Sequence, residues 1–126
     1  MDARVEVVEK AMQLIGGRWK PAIMFCLNTI GTHRFSELGR MIPGVSQRML
    51  TKQLRDLERH GLIRRVYTEE IPPRVEYSST DLGRSLHPIY KSVCDWAGDN
   101  LSRPPTPEPH EVTRPAGKRR VARRVR

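Results

Sequence analysis

Residues 43–61, PGVSQRMLTKQLRDLERHG, carry the clearest structural signals in the chain. Pro43-Gly44 interrupts regular structure, Ser46 is a residue type favoured at a helix N-cap, and Gly61 suits the left-handed position that follows a helix. These signals predict a helix that begins just after residue 46 and ends near residue 60.

The two faces of this predicted helix differ in chemistry. At about 100° per residue, Leu50, Leu54 and Leu57 fall within about 60° of one another. The cations lie nearly opposite and form what we call the basic ridge, which consists of Arg48, Lys52, Arg55 and Arg59. Gln47 and Thr51 flank the ridge in the N-terminal half, where a recognition helix usually meets base edges in the major groove. We therefore expect the leucines to pack and the ridge to contact DNA.

A short helix precedes the turn. Phe35, Leu38 and Ile42 mark about two helical turns, which end at Pro43-Gly44. Two helices joined by a tight turn are the outline of a helix-turn-helix. A charged face alone usually means a solvated helix. Here, however, the ridge has no interleaved acidic residue apart from Asp56 at its edge, and it follows a short helix and a tight turn. Both features favour DNA contact.

Two further helices are predicted nearer the N-terminus. The apolar residues of the first are Val5, Val8, Met12 and Ile15, and Gly16-Gly17 ends it. The second begins near Pro21, ends at Gly31 and is expected to be largely buried. Its apolar stripe consists of Ala22, Ile23, Cys26, Leu27 and Ile30.

Residues 62–67 and 74–78 are rich in β-branched and aromatic types and flank a segment that contains Pro72-Pro73. They predict a β-hairpin with a projecting tip, because proline cannot donate a backbone hydrogen bond to a paired strand. A hairpin directly after a recognition helix is a wing. We expect Arg74, beside the tip, to enter the minor groove or contact a phosphate; the alternative is an exposed arginine without a partner.

A last helix is predicted to begin at the N-cap Thr80 and to be kinked at Pro88. Its apolar residues recur at spacings of four and three and are Leu82, Leu86, Ile89, Val93 and Trp96. One small domain has few surfaces that would cover both terminal helices, so we expect a dimer interface made by Val5, Val8, Met12, Ile89, Val93 and Trp96. The alternative is that both helices cap the core of a monomer.

The composition limits the remaining classes of protein. With 126 residues, we expect one domain over residues 1–102. The lack of a long apolar run predicts a cytoplasmic protein with no membrane partner, and the expected DNA contact would make it nucleoid-associated. Cys26 and Cys94 lie far apart in apolar patterns, which does not suggest a disulfide. The four histidines lack metal-ligand spacing, and no nucleophile or paired-carboxylate motif appears. We therefore expect no cofactor, no metal, no catalytic residue and no enzymatic activity.

The excess positive charge is concentrated in residues 103–126. The net charge of the chain is +9, and this segment holds 8 Lys or Arg against 2 Asp or Glu. It opens with the proline-rich RPPTPEP, residues 103–109, and closes with KRRVARRVR, residues 118–126. We expect a disordered tail that attracts polyanions, although an incidental solubilising tail explains the composition equally well.

Several segments in the same order resemble the HxlR family. They are IGGRWK (15–20), RFSEL (34–38), PGVSQRMLT (43–51), LRDLE (54–58), GLI (61–63), PPRVEY (72–77) and TDLG (80–83). The resemblance runs from about Val5 to Gly98. It implies a bacterial or archaeal winged helix-turn-helix regulator that binds operator DNA as a homodimer through its first and last helices.

The complete expectation is an α+β, mostly helical, winged helix-turn-helix fold with extra N- and C-terminal dimerisation helices. The predicted DNA-binding residues are Arg34, Ser46, Gln47, Arg48, Thr51, Lys52, Arg55 and Arg74. The function expected is that of a sequence-specific regulator, by family habit a repressor, on pseudo-palindromic double-stranded operator DNA. The alternatives are a non-specific architectural nucleic-acid-binding protein and a protein-interaction winged helix. A small-molecule effector stays open, whereas the redox-sensing cysteine of some relatives is replaced here by Glu6.

Overall fold

The computed structural model of the protein describes residues 2–101. The elements follow one another as α1 (Ala3–Ile15), α2 (Lys20–Thr29), β1 (His33–Arg34), α3 (Phe35–Met41), α4 (Gln47–Arg59), β2 (Ile63–Tyr67), β3 (Val75–Ser79), α5 (Asp81–Arg84) and α6 (His87–Leu101). The strands form one antiparallel sheet in the order β1-β3-β2. Helices with a small sheet confirm the α+β, mostly helical winged helix-turn-helix fold.

The chain divides into two compact units between His87 and Pro88. The first holds α1 to α5 and the whole sheet; the second holds α6 from Pro88 onward, where Lys91 and Asp95 form an ion pair of 3.1 Å one helical turn apart. The proposed extent of one domain over residues 1–102 stays a prediction. The predicted tail over residues 103–126 lies outside the described residues.

The core of the first unit is built where α2, α3 and α4 meet the sheet. Its largest fully buried side chains are Ile23, Met24, Leu38, Leu50, Leu54, Leu57, Leu62 and Ile63. Burial of each such side chain contributes about 1.5–3 kcal/mol to folding, so the three leucines of α4 anchor that helix firmly. The predicted packing face of the helix is confirmed.

Local signals placed the ends of α4 correctly. The Ser46 hydroxyl accepts a hydrogen bond of 3.0 Å from the backbone N–H of Met49, as an N-cap does. At the other end, Gly61 has a φ of 75°, and Gly44 in the turn before the helix has a φ of 83°. Both are left-handed conformations that favour glycine, which explains the abrupt limits of the helix.

The sheet differs from the predicted hairpin. The hairpin itself is present, with Ile63 paired to Ser79 and Tyr67 paired to Val75, but a third strand, β1, adds to β3 through His33 opposite Tyr77. Leu62 and Arg74 lie just outside the strands to which the sequence assigned them. A strand of two residues has no periodicity of its own, and only its partner in the sheet defines it.

The predicted final helix is divided in two rather than kinked. Thr80 caps α5 as predicted, accepting 3.1 Å from the N–H of Gly83, but α5 ends after four residues and Ser85-Leu86 form a turn. Pro88 then lies in the first turn of α6, where its missing N–H has no helical acceptor to lose. A new helix start thus replaces the kink.

The predicted burial of the α2 stripe is observed only in part. Its residues Ile23 and Leu27 are buried, Ala22 and Cys26 are half-buried, and Ile30 is 62% exposed. Ile30 is the C-cap of α2, and its backbone has left the helical path by Gly31. Within residues 2–101, no helix is long and apolar enough to cross a membrane.

Candidate nucleic-acid interface

The basic ridge lies on the solvent side of α4. Leu50, Leu54 and Leu57 are buried on the opposite side and fix the rotation of the helix. Arg48, Lys52 and Arg55 are exposed, and none of the three makes an ion pair or a side-chain hydrogen bond within residues 2–101. Three cations on a rigid helix therefore face solvent without a local counter-charge.

An open depression of about 1020 Å³ runs along this face. Five of the eight predicted DNA-binding residues line it, namely Gln47, Arg48, Thr51, Lys52 and Arg55. Lys20, Phe35, Gln53, Asp56 and Arg59 complete the lining. The sequence prediction thus identified side chains that share one surface, and that surface combines cations with the amide and hydroxyl groups that can read base edges.

A partly buried ion pair beside the ridge was not predicted. The Lys20 ammonium of α2 donates to the Asp56 carboxylate of α4, and the two side chains are 10% and 23% exposed. The same ammonium lies 3.5 Å from the carbonyl oxygen of Gln13. The hydrogen bond from Lys20 lowers the pKa of the Asp56 carboxyl, against the opposing effect of burial. Asp56 is therefore ionised and joins α4 to α2.

The same carboxylate also binds Arg59, the last cation of the ridge. The Nδ1 atom of His60 lies 3.8 Å from it. Lys20 and Arg59 together neutralise the acidic charge at the edge of the ridge, so Asp56 does not repel a phosphate backbone. Arg59 is in turn less available than Arg48 or Arg55. The signal missed in the sequence is a lysine 36 residues from its partner, which no local pattern connects.

Arg34 and Ser46 lie outside the lining of the depression. The exposed Arg34 is the N-cap of α3, and its backbone N–H donates 2.8 Å to the carboxylate of Glu37, which lowers the pKa of that carboxyl. Its guanidinium is 3.7 Å from the same side chain. The Ser46 hydroxyl accepts from Met49 and keeps its own O–H as a donor. Contact of either residue with DNA stays a prediction.

The wing carries Arg74 in a paired state. Its guanidinium lies 3.0 Å from Glu70 and 3.4 Å from Glu76, and its backbone N–H donates 3.0 Å to the Thr68 hydroxyl. The alternative of an arginine without a partner is therefore wrong. Whether Arg74 meets DNA stays a prediction, and in this structure its charge is offset by two carboxylates.

Two other wing cations escaped the sequence analysis. Arg64 and Arg65 are exposed neighbours on β2, and the guanidinium of Arg65 lies 4.7 Å from the ring centroid of Tyr67, a cation–π contact. Because successive residues of a strand point to opposite faces, the two arginines leave the hairpin on different sides. Their positions within a predicted strand of the wing were the signal that could have identified Arg64 and Arg65 as exposed wing cations.

The remaining chemistry of the described residues offers little else. No three His, Cys, Asp or Glu side chains cluster as metal ligands within residues 2–101. Cys26 is half-buried, and burial raises the pKa of its thiol, which disfavours the reactive thiolate. Cys94 is exposed.

Comparison with known proteins identifies the family of the chain. The family model described as HxlR-like helix-turn-helix matches residues 14–105. The chain is 43% identical over 96 residues to the uncharacterized HTH-type transcriptional regulator YtcD of Bacillus subtilis strain 168, covering 76% of this chain and 75% of that protein. It is 49% identical over 89 residues to an uncharacterized HTH-type transcriptional regulator of Methanothermobacter thermautotrophicus, covering 71% and 67% of the two chains.

A solved structure, the redox regulator HypR in its oxidized form, superposes with a TM-score of 0.68 at 42% sequence identity. The superposition covers 71% of this chain and 92% of the HypR chain. The chain therefore shares its fold with a solved regulator over most of the latter's length.

Proposed function

This chain belongs to the HxlR-like helix-turn-helix family of transcriptional regulators, and from that membership we propose that it binds a pseudo-palindromic operator as a homodimer and represses transcription there. The observation that carries the proposal is the set of three unpaired ridge cations on α4, Arg48, Lys52 and Arg55, opposite three buried leucines. A helix fixed in rotation by its core can hold the same side chains against the same bases in every complex.

The side chains on the exposed face of α4 differ in the DNA groups that they can contact. Arg48, in the N-terminal half of α4, can bond a guanine through two donors, and Gln47 can do the same for an adenine. Lys52 is a point charge on a flexible stem and suits a phosphate. Arg55 lies two turns after Arg48 on the same side and lines the same depression. We propose that Gln47, Arg48 and Arg55 read bases.

The dimer is proposed from two apolar stripes. On α1, where no residue is buried, Val5, Val8 and Met12 are all exposed. On α6, the second stripe consists of Ile89, Val93 and Trp96, and Trp96 is 59% exposed. Burial of both stripes against the symmetry mates would remove this surface from water. A two-fold axis would also place two copies of α4 about one turn of DNA apart, roughly 34 Å.

Control by an effector stays open. The structural relative HypR is a redox regulator, but in this chain Glu6 occupies the position where redox-sensing relatives carry cysteine. The raised pKa of the Cys26 thiol also disfavours oxidation there. We propose that repression does not respond to the oxidation of Cys26.

The cations after residue 102 are proposed to add affinity without sequence preference. Eight Lys or Arg residues lie in this segment, and each one that neutralises a phosphate releases condensed counterions. This contribution would keep the protein on the nucleoid in the cytoplasm and raise its local concentration near the operator.

A gel shift tests the proposed function. The probe is a duplex from the region upstream of the chain's own gene, in the presence of excess unrelated DNA. We expect a retarded band that survives the competitor. Loss of the band to competitor would favour an architectural nucleic-acid-binding protein, and absence of binding even at low salt would favour a protein-interaction winged helix.

A further inference from the structure

A cation outside the predicted set lies beside the turn of the helix-turn-helix. Arg18 is an exposed residue between α1 and α2, and its guanidinium carbon lies 4.4 Å from the ring centroid of Trp19. A Cβ built on Gly44 would lie 3.9 Å from Cη2 of Trp19 and 4.0 Å from a terminal nitrogen of Arg18. The stacked pair therefore packs against the turn that leads into α4.

The stacking holds Arg18 without using its hydrogen-bond donors. A guanidinium that lies over an aromatic face keeps its N–H groups in its own plane, directed away from the ring. Within residues 2–101 Arg18 makes no ion pair and no side-chain hydrogen bond. Its neighbour Lys20 differs, because its ammonium is nearly buried against Asp56. Within the described residues Arg18 is thus a cation held over an aromatic ring with its donors free.

The position of the turn indicates the ligand. In a helix-turn-helix complex the N-terminal part of the second helix enters the major groove while the first helix crosses the sugar-phosphate backbone. The turn between α3 and α4, at residues 42–46, would then lie at the edge of the groove, where phosphates are the nearest DNA groups. A planar guanidinium suits an anion with two oxygens, and phosphate has that geometry.

We propose that Arg18 binds a DNA phosphate at the edge of the groove that α4 enters, and that its stack on Trp19 positions it there. This inference rests on the proposed function. Because a phosphate contact carries no sequence information, Arg18 sets affinity and register while the residues of α4 set preference.

The test measures the binding of the full chain to two duplexes of equal length, one from the region upstream of its own gene and one unrelated, across a series of salt concentrations. For Arg18→Ala we expect weaker binding to both duplexes by a similar factor. The slope of log affinity against log salt should fall by about 0.9 per protomer, the value for one phosphate contact. Arg18→Lys keeps the charge and should keep most of the slope. Lys10→Ala, an exposed cation on the side of α1 away from its apolar stripe, is the control and should leave the slope unchanged.

Three outcomes would overturn the assignment. An unchanged slope for Arg18→Ala would show that the residue contacts no phosphate. A changed preference between the two duplexes would make it a reader of bases. Failure of the wild-type chain to bind either duplex would remove the proposed function together with this contact, and the wild-type titration alone distinguishes that case. Circular dichroism of each variant confirms that the fold is intact.

Discussion

Removal of the Asp56 carboxylate should destabilise the fold well beyond the loss of a surface contact. In Asp56→Ala the Lys20 ammonium, whose side chain is only 10% exposed, loses its counter-ion. Breaking an exposed pair costs about 0.2–1 kcal/mol, and breaking a fully buried one costs about 3–5 kcal/mol. With partners 10% and 23% exposed, we expect a loss of about 2–3 kcal/mol in the free energy of unfolding.

The assay is urea unfolding followed by circular dichroism at one fixed protomer concentration, because the stability of an oligomer depends on concentration. Lys20→Met/Asp56→Ala is the matched control. It removes both charges, so it should recover part of the loss, and together with Lys20→Met alone it completes a double-mutant cycle that isolates the coupling between the two residues. A cost below about 0.5 kcal/mol for Asp56→Ala, as for an ordinary surface substitution, would show that the Lys20–Asp56 pair does not stabilise the fold.

The pH dependence of the same variant gives a second check. The folded-state pKa of Asp56 is lowered from 3.8, so its contribution is fully present above the unfolded value and is lost as the pH falls through the folded value. The stability difference between the wild type and Asp56→Ala should therefore be constant near neutral pH and shrink below about pH 4. A difference that stayed constant into strong acid would contradict an ionised Asp56.

Three further predictions concern the helix cap, the tail and the dimer. Ser46→Ala removes the acceptor for the Met49 N–H and should cost about 0.5–2 kcal/mol in urea unfolding, with Ser46→Gly costing less; equal stability of Ser46→Ala and the wild type would count against the cap. Deletion of the residues after Ser102 should weaken binding to all duplexes and flatten its salt dependence without changing the preferred sequence, and a changed preference would show instead that the tail reads bases. Trp96→Ala should leave the secondary structure intact, because Trp96 is 59% exposed in the single chain, but weaken the dimer by about 2 kcal/mol or more. Sedimentation at micromolar concentration checks this, and a monomeric wild type that still binds its operator tightly would rule out the dimer.

The features that the sequence predicted correctly are those with local causes. Ser46 and Gly61 bound α4 because an N-cap and a left-handed glycine act on the backbone beside them. The separation of leucines from cations follows from the helical repeat alone. For these reasons the bounds and buried face of α4 and five residues of one shared surface could be found without coordinates.

The features that were missed depend on residues distant in the chain. The two residues of β1 are a strand only because Tyr77 pairs with His33. Lys20 and Asp56, which join two helices, lie 36 residues apart in the chain. Nothing in the sequence around a lysine or an aspartate indicates which distant residue it will pair with. The final stripe of apolar residues also continued across Pro88, so periodicity alone hid the break between α5 and α6.

The operator preference of ridge variants is the decisive measurement of whether α4 recognises the operator. The dissociation constants of the wild type, Arg48→Ala and Arg55→Ala are measured by fluorescence anisotropy on the upstream duplex and on an unrelated duplex at the same salt concentration, with Lys10→Ala as the control. Recognition by α4 predicts that each ridge variant loses about 1–3 kcal/mol on the upstream duplex and less on the unrelated one, so that the ratio of affinities falls while Lys10→Ala keeps it. If the ridge variants kept the wild-type ratio of affinities, α4 would not be the element that recognises the operator.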